Sequence, residues 1–177
     1  MPRYFVAIPL PEDVRDELVR AQPVAAEGLR IVCRNELHVT LHFLGEVAAA
    51  NTEALHSALA SVRVAPFRVA VSGSGRFSQS AVFFYARVEA SPALIELHRA
   101  VGAALREAIG FQVEDRPYQP HVTLARAEST FPETEIERLA SPLAHIHIDS
   151  MVVDRFALYT SEFINGVPMY REQAIYQ

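Results

Sequence analysis

Apolar and polar positions along this chain follow two rhythms, period two and helical period, and the two take turns. The opening RYFVAIPL (3–10) reads as a strand. PEDVRDELVRAQ (11–22) begins with proline and acids and then sets Val14, Leu18 and Val19 at helical spacing, which predicts a helix. LRIVCR (29–34) is strand-like and leads into HVTL at 38–41, after which NTEALHSALASV (51–62) predicts a helix and FRVAVSG (67–73) a strand. The pattern restarts with a strand in AVFFYARVEA (81–90). Ser91-Pro92 caps a helix that carries Leu94, Leu97, Val101, Leu105 and Ile109 on one face and stops at Gly110. A second HVTL follows at 121–124, then a helix in PETEIERLA (132–140) and a strand in AHIHIDSMVV (144–153).

Each half therefore runs strand, helix, short strand or loop, the repeated tetrapeptide, helix, strand. That order predicts an α+β protein of two pseudo-symmetric ferredoxin-like lobes, with antiparallel sheets flanking a central cleft and an approximate two-fold axis between them. A length of 177 residues suits a single domain, 1–177, made of two lobes.

The tetrapeptide acquires meaning from strand geometry. Side chains alternate across a strand, so His38 and Thr40 share one face while Val39 and Leu41 share the other, and His121, Thr123, Val122 and Leu124 divide in the same way. If the two lobes face each other, two imidazoles and two hydroxyls surround one point. Such a set suits a phosphodiester: one histidine takes a proton from the attacking oxygen, the other gives one to the departing oxygen, and the threonines hydrogen-bond the non-bridging oxygens. Histidine fits both roles because its pKa of about 6.5 allows either state near neutrality. One such strand histidine would most often be a satisfied structural residue. Two in equivalent places point to chemistry.

Charge restricts the partner. All 16 basic residues are arginine and the net charge is -5, which argues against a broad basic face coating nucleic acid. A phosphate site must be local, and the arginine usage itself fits a compositional bias in this alanine-rich chain. Cys33 is the single cysteine, so no disulfide forms, and its place in LRIVCR suggests strand packing. No uncharged apolar run reaches membrane-spanning length and no secretory signal opens the chain, so a soluble cytoplasmic protein is the expectation; a monomer is expected as well.

The surroundings of the repeat carry a resemblance. RNELHVTLHFLGEV and PYQPHVTLARA resemble the two HxTx signatures of the two-histidine (2H) phosphoesterases, above all the RNA 2',3'-cyclic phosphodiesterase branch, also called 2'-5' RNA ligase-like proteins. The opening RYFVAIPLPE and the tail LYTSEFINGVPMYR, similar to the closing strand pair of that family with its Ser, Gly and Tyr, extend the likeness over nearly the whole chain. SQSAVFFYARV departs from the family pattern in lacking a proline-containing turn and a tryptophan.

The resemblance implies the 2H phosphoesterase fold and an enzyme that opens a 2',3'-cyclic phosphate to a 2'-phosphate, with a related ATP-independent 2'-5' ligation. It assigns His38 as proton donor, His121 as proton acceptor, and Thr40 and Thr123 as phosphate holders, with no cofactor and no metal. The implied partners are RNA 3' ends bearing a 2',3'-cyclic phosphate, or small cyclic nucleotides. Phe43 and Arg126 stand five residues after the two histidines, and the family pattern suggests an aromatic contact with the nucleoside and a guanidinium near the phosphate. Strict alternation turns both away from their histidines, so lining the site requires a bulge or a strand end.

Other candidates weigh less. His42 should share the face of Thr40, at the cleft rim or in solvent. His145, His147 and Asp149 in HIHID have a spacing that could hold a metal, although the exposed side of an amphipathic strand fits them better. His56 and His98 lie in helices and read as surface residues. GSGR (73–76) reads as a turn. The alternatives to the enzyme are a binding module of the same fold that only grips an RNA end or nucleotide, and a metal hydrolase built on HIHID.

Overall fold

Local signals set the elements, and helix α3 (Pro92–Ile109) shows how. The Ser91 hydroxyl accepts the Leu94 amide, Pro92 fills the first turn, and Gly110 ends the helix at φ 68° with its amide on the Arg106 carbonyl. Leu94, Leu97, Val101 and Leu105 are buried along one stripe, as their spacing predicts. Gly102 interrupts that stripe for a reason of fit: a Cβ there would lie 3.0 Å from the His42 ring, so the glycine lets helix and sheet approach closely.

The computed structural model describes residues 3–78, 81–128, 130–164 and 167–177. Before α3 come β1 (Arg3–Pro9), α1 (Glu12–Ala21), β2 (Leu29–Ile31), β3 (His38–Glu46), α2 (Thr52–Ser61), β4 (Phe67–Ser78) and β5 (Ala81–Val88). After it come β6 (His121–Glu128), α4 (Glu133–Leu143), β7 (His147–Val153), β8 (Phe156–Ile164) and β9 (Val167–Tyr176). All pairings are antiparallel, in the order β7-β4-β5-β6-β3-β1-β8-β9, with β2 added on β6. Four strands of that order thus belong to each lobe, and the lobes join where β3 meets β6 through a single residue pair, Val39 opposite Val122.

The lobes are not the two halves of the chain. β4 follows the first repeat in sequence yet pairs with β5 and β7 of the second lobe, while β8 and β9 return to extend β1. Hairpin pairing explains the first, since β4 and β5 are neighbours in sequence and antiparallel neighbours pair readily; β8 and β9 pair with each other in the same way, but their docking on β1 is long-range. The residues linking these hairpins, Gln79, Ser80, Asn165 and Gly166, lie outside the described set.

Two smaller expectations are overturned. GSGR is no turn. It sits inside β4, where Gly73 at φ 73° absorbs a register shift between Val71 and Ser74, the distortion a glycine allows without steric cost. Cys33 does not pack in a strand either; β2 stops at Ile31, and Cys33 is exposed at the start of the 3-10 turn Arg34–Glu36.

The core runs through both lobes without a break. Val39, Val122 and Leu124 are fully buried and Leu41 nearly so, confirming the anchoring face of the repeat. Each such side chain contributes about 1.5–3 kcal/mol by leaving water, which holds the polar partners in each tetrapeptide at fixed positions. Val19 lies at the edge of its helical stripe, 37% exposed.

Candidate active site

Both motif strands break their alternation at the same place. In β3 the partner sequence on β1 runs Ala7 with Thr40, then Val6 with His42, skipping Leu41; in β6 the partners on β5 run Tyr85 with Thr123, then Phe84 with Ala125, skipping Leu124. Each skip is a β-bulge three residues beyond the motif histidine. Its effect is visible in burial: Leu41 and His42 are both buried, as are Leu124 and Ala125, and Phe43 and Arg126 are exposed on the side of their histidines. The bulge that the sequence required for Phe43 and Arg126 to face the cleft is therefore present twice.

His42 takes the other consequence of the bulge. Instead of lining the cleft rim beside Thr40, it is 5% exposed beneath α3, and its Nε2–H donates to the His98 carbonyl at 2.8 Å. His98 is not a free surface residue. Its ring stacks between His42, at 4.2 Å, and Tyr118, at 4.0 Å, and the Tyr118 hydroxyl donates to the Thr40 carbonyl at 2.9 Å. A column of rings thus braces the back of the first motif. His56 does lie in a helix, partly buried, with Nδ1 2.8 Å from the Tyr176 hydroxyl.

The two motif histidines are pinned alike. Carbonyl oxygens only accept, so the contacts from His38 Nδ1 to the Glu36 carbonyl, 2.5 Å, and from His121 Nδ1 to the Gln119 carbonyl, 2.7 Å, place the proton on Nδ1 and leave Nε2 for the cleft. Continuing the register on either side of the Val39–Val122 pair sets His38 across from Thr123 and Thr40 across from His121. The approximate two-fold passes through that pair.

Aromatic rings hold each imidazole. His38 lies 4.9 Å from Phe5 and 5.5 Å from Tyr170, with Tyr159 stacked on Phe5; His121 lies 5.1 Å from both Tyr85 and Phe77, which stack on each other. The segment without tryptophan thus supplies Tyr85 to one cage, and it also supplies Phe83, whose ring faces the Arg126 guanidinium at 5.0 Å. Burial lowers the pKa of His38 to about 4, with the nearby His121 and Arg15 pushing the same way and the Glu36 carbonyl opposing. Burial also lowers that of His121, helped by Arg116 and opposed by the Gln119 carbonyl.

His38, Thr40, Thr123 and Arg126 line one cavity of about 150 Å³, together with Arg30 and Tyr170. Thr40 and His121 also line an adjoining cavity of about 130 Å³, where Phe43 stands beside Phe111 and Tyr118. All six candidate residues therefore border two cavities that meet at Thr40. Arg30, Glu36, Tyr118 and Tyr170 were not singled out by sequence. Tyr118 and Tyr170 sit within the stretches PYQPH and VPMYR that carried the resemblance, whereas Arg30 reaches the site through β2, a short strand with no motif. HIHID behaves differently: His147 and Asp149 are exposed and bonded to each other at 2.8 Å, and His145 lies in the turn before β7. Among the described residues, no group of three potential metal-ligating side chains comes together.

Gly75 gives the cage of His121 a test. It pairs with Tyr85 across β4 and β5, and a Cβ at Gly75 would stand 2.3 Å from the Tyr85 hydroxyl and 2.4 Å from Cζ, an overlap with a rigid ring. Gly75→Ala must therefore move Tyr85 away from His121. We expect a kcat loss of about tenfold with a circular dichroism spectrum like that of the parent; unchanged kcat would show that the cage does not position His121.

Fold and paired motif together are those of the 2H phosphoesterase class. The chain belongs to the 2'-5' RNA ligase superfamily, whose family profile matches residues 10–162. It is 31% identical over 170 residues to the RNA 2',3'-cyclic phosphodiesterase of Escherichia coli K12, covering 95% of this chain and 92% of that one. It is 33% identical over 180 residues to the RNA 2',3'-cyclic phosphodiesterase of Thermus thermophilus, covering 95% and 86%. The crystal structure of E. coli LigT complexed with 3'-AMP superposes with a TM-score of 0.77 at 28% identity, covering 99% of this chain and 97% of that one. The crystal structure of TT0787 of T. thermophilus gives 0.77 at 30% identity, covering 98% and 96%. No helix among the described residues is long and apolar enough to cross a membrane.

Proposed function

We propose that the chain is an RNA 2',3'-cyclic 3'-phosphodiesterase in which His38 and His121 do the proton transfers. The observation that carries this reading is the pair of imidazoles, each fixed through Nδ1, on either side of the Val39–Val122 pair with Thr40 and Thr123 between them. Water attacks phosphorus and gives its proton to His121 Nε2. The bond from phosphorus to the 3' oxygen breaks, His38 Nε2–H protonates that oxygen, and a 2'-phosphate remains. Thr40 and Thr123 donate to the non-bridging oxygens, and Arg126 balances the charge. A 5'-hydroxyl in place of water would give a 2'-5' linkage by the same transfers. These steps ask only for proton movement and charge stabilisation, which the named side chains supply without a metal. Phe43 stands where a nucleobase attached to that ribose can lie against its ring.

Both motifs come from one chain, which supports action as a monomer, and the exposed Cys33 thiol suits a reducing compartment such as the cytoplasm. We treat residues 1–177 as one functional unit, because His38 takes cage rings from both ends of the sequence. The test is an RNA oligonucleotide ending in a 2',3'-cyclic phosphate, incubated with EDTA, with phosphorus NMR on the product. A 2'-phosphate is expected. A 3'-phosphate would reverse the assigned cleavage, loss of activity with EDTA would restore the metal reading, and binding without turnover would leave a binding module.

The pH profile has a definite direction. One proton must be shared by a pair whose pKa values both lie below the usual 6.5, His38 at about 4, so the free enzyme reaches its active state on the acid side of 6.5 and loses it as pH rises. A bound cyclic phosphate brings negative charge and favours the imidazolium. The optimum of kcat is therefore expected at higher pH than that of kcat/KM; coincident optima above pH 7 would contradict the buried, neutral pair.

A further inference from the structure

Beside the catalytic cavity lies a second, larger space of about 670 Å³, lined by Arg30, Arg126, Glu128, Phe163 and Pro168 among others. We propose that this groove seats the phosphate and base of the nucleotide preceding the cyclic end, so that the substrate is an RNA strand and not a free cyclic mononucleotide. The inference rests on the cyclic phosphodiesterase reading above.

The first argument is stereochemical. A 2',3'-cyclic phosphate bridges C2' and C3' of the ribose; the base leaves from C1', beside C2', and the preceding chain leaves through C4' and C5', beside C3'. Base and preceding phosphate therefore depart to opposite flanks of the reacting phosphorus. The protein also has opposite flanks, and the equivalent bulges place Phe43 on one and Arg126 on the other. An aromatic ring suits the base; Arg126 borders both the catalytic cavity and the groove, so the guanidinium that balances charge on the reacting phosphate also faces the next one.

The second argument is electrostatic. Arg126 stands directly opposite Arg30 in the β2–β6 ladder, a like-charge pairing that the Glu36 carboxylate, bonded to Arg30 at 2.8 Å, offsets on one side. Among the described residues Arg126 has no such carboxylate; its guanidinium faces the Phe83 ring, which leaves that charge for a phosphate. Both guanidinium groups line the catalytic cavity as well as the groove, so the two spaces are continuous.

The third argument concerns extent. Phe163, 57% exposed near the tip of the β8–β9 hairpin, borders the groove and offers a face for one base. Along the cleft face of β6 the order is His121, Thr123, Arg126 and then Glu128, the last two exposed, so a carboxylate follows the guanidinium. That acid repels a further phosphate. The subsite accommodates one additional nucleotide, in keeping with the net charge of -5.

Steady-state kinetics on a cyclic mononucleotide, a dinucleotide and a tetranucleotide, each with a 2',3'-cyclic end, tests the proposal. The expected kcat/KM rises about tenfold or more from mononucleotide to dinucleotide and less than about twofold beyond. Phe163→Ala, at an exposed position, should reduce the dinucleotide advantage roughly fivefold or more. Equal kcat/KM for mononucleotide and dinucleotide, a continued steep rise with length, or an advantage untouched by Phe163→Ala would overturn the subsite. If no substrate turns over, the phosphodiesterase reading fails, and fluorescence anisotropy with the same ligands then decides the groove: tighter dinucleotide binding that is lost in Phe163→Ala keeps it, and equal binding removes it.

Discussion

Replacing His38 or His121 by alanine is expected to lower turnover of a cyclic-phosphate oligonucleotide by about 10²- to 10⁴-fold while the fold persists. General acid and general base act in one transition state, so each single loss should cost nearly as much as the double loss, and the two effects will not multiply. Both rings border the cleft, which is why thermal unfolding should change little. Single-turnover rates for the two single mutants and the double mutant, beside their melting curves, check this. Near-native turnover in either single mutant would remove the proposed chemistry whatever the binding data showed.

Arg126 carries the second large effect. Hydrogen bonds from a guanidinium to a phosphate are charge-assisted and worth about 1.5–3 kcal/mol, so Arg126→Ala should lower kcat/KM roughly 10- to 100-fold. Arg126→Lys should recover part of that, since the ammonium keeps the charge and loses the planar fork. The competing explanation, a surface ion pair with Glu128, has no support in the geometry, because the contact seen for Arg126 is the Phe83 ring. Salt separates charge from shape: for a single strand, the slope of log affinity against log salt falls in magnitude by about 0.7 for each phosphate that the protein ceases to neutralise. A mutant with the slope of the parent would show that Arg126 touches no phosphate.

Particular residues show why some of this was legible in sequence and some was not. α3 was readable from Ser91 to Gly110 because its cap, its stripe and its stop are all local. The faces of His38, Thr40, His121 and Thr123 were readable because four residues of strand alternate reliably. The faces of His42, Phe43 and Arg126 were not, since a bulge shifts the pattern by one residue and Leu41 and Leu124 carry no sign of it. His98 looked like a surface residue because nothing in a helical repeat reveals that a strand histidine will lie under it. The placement of β4 and of the β8–β9 hairpin depended on long-range pairing, and Arg30 on a short strand that becomes visible only through its partner β6.

The return of β8 and β9 to β1 has a consequence for folding. β1 and its outer neighbour β8 are separated in sequence by every element from α1 to β7, and closing so long a loop is slow. Until it closes, β1 has an unpaired edge and His38 lacks Tyr170, a ring that borders it. The second lobe, by contrast, is built from the continuous stretch β4 to β7 and can assemble before the β8–β9 hairpin docks. The surroundings of His121 are thus completed before those of His38, and the acid–base pair is whole only once that hairpin is in place.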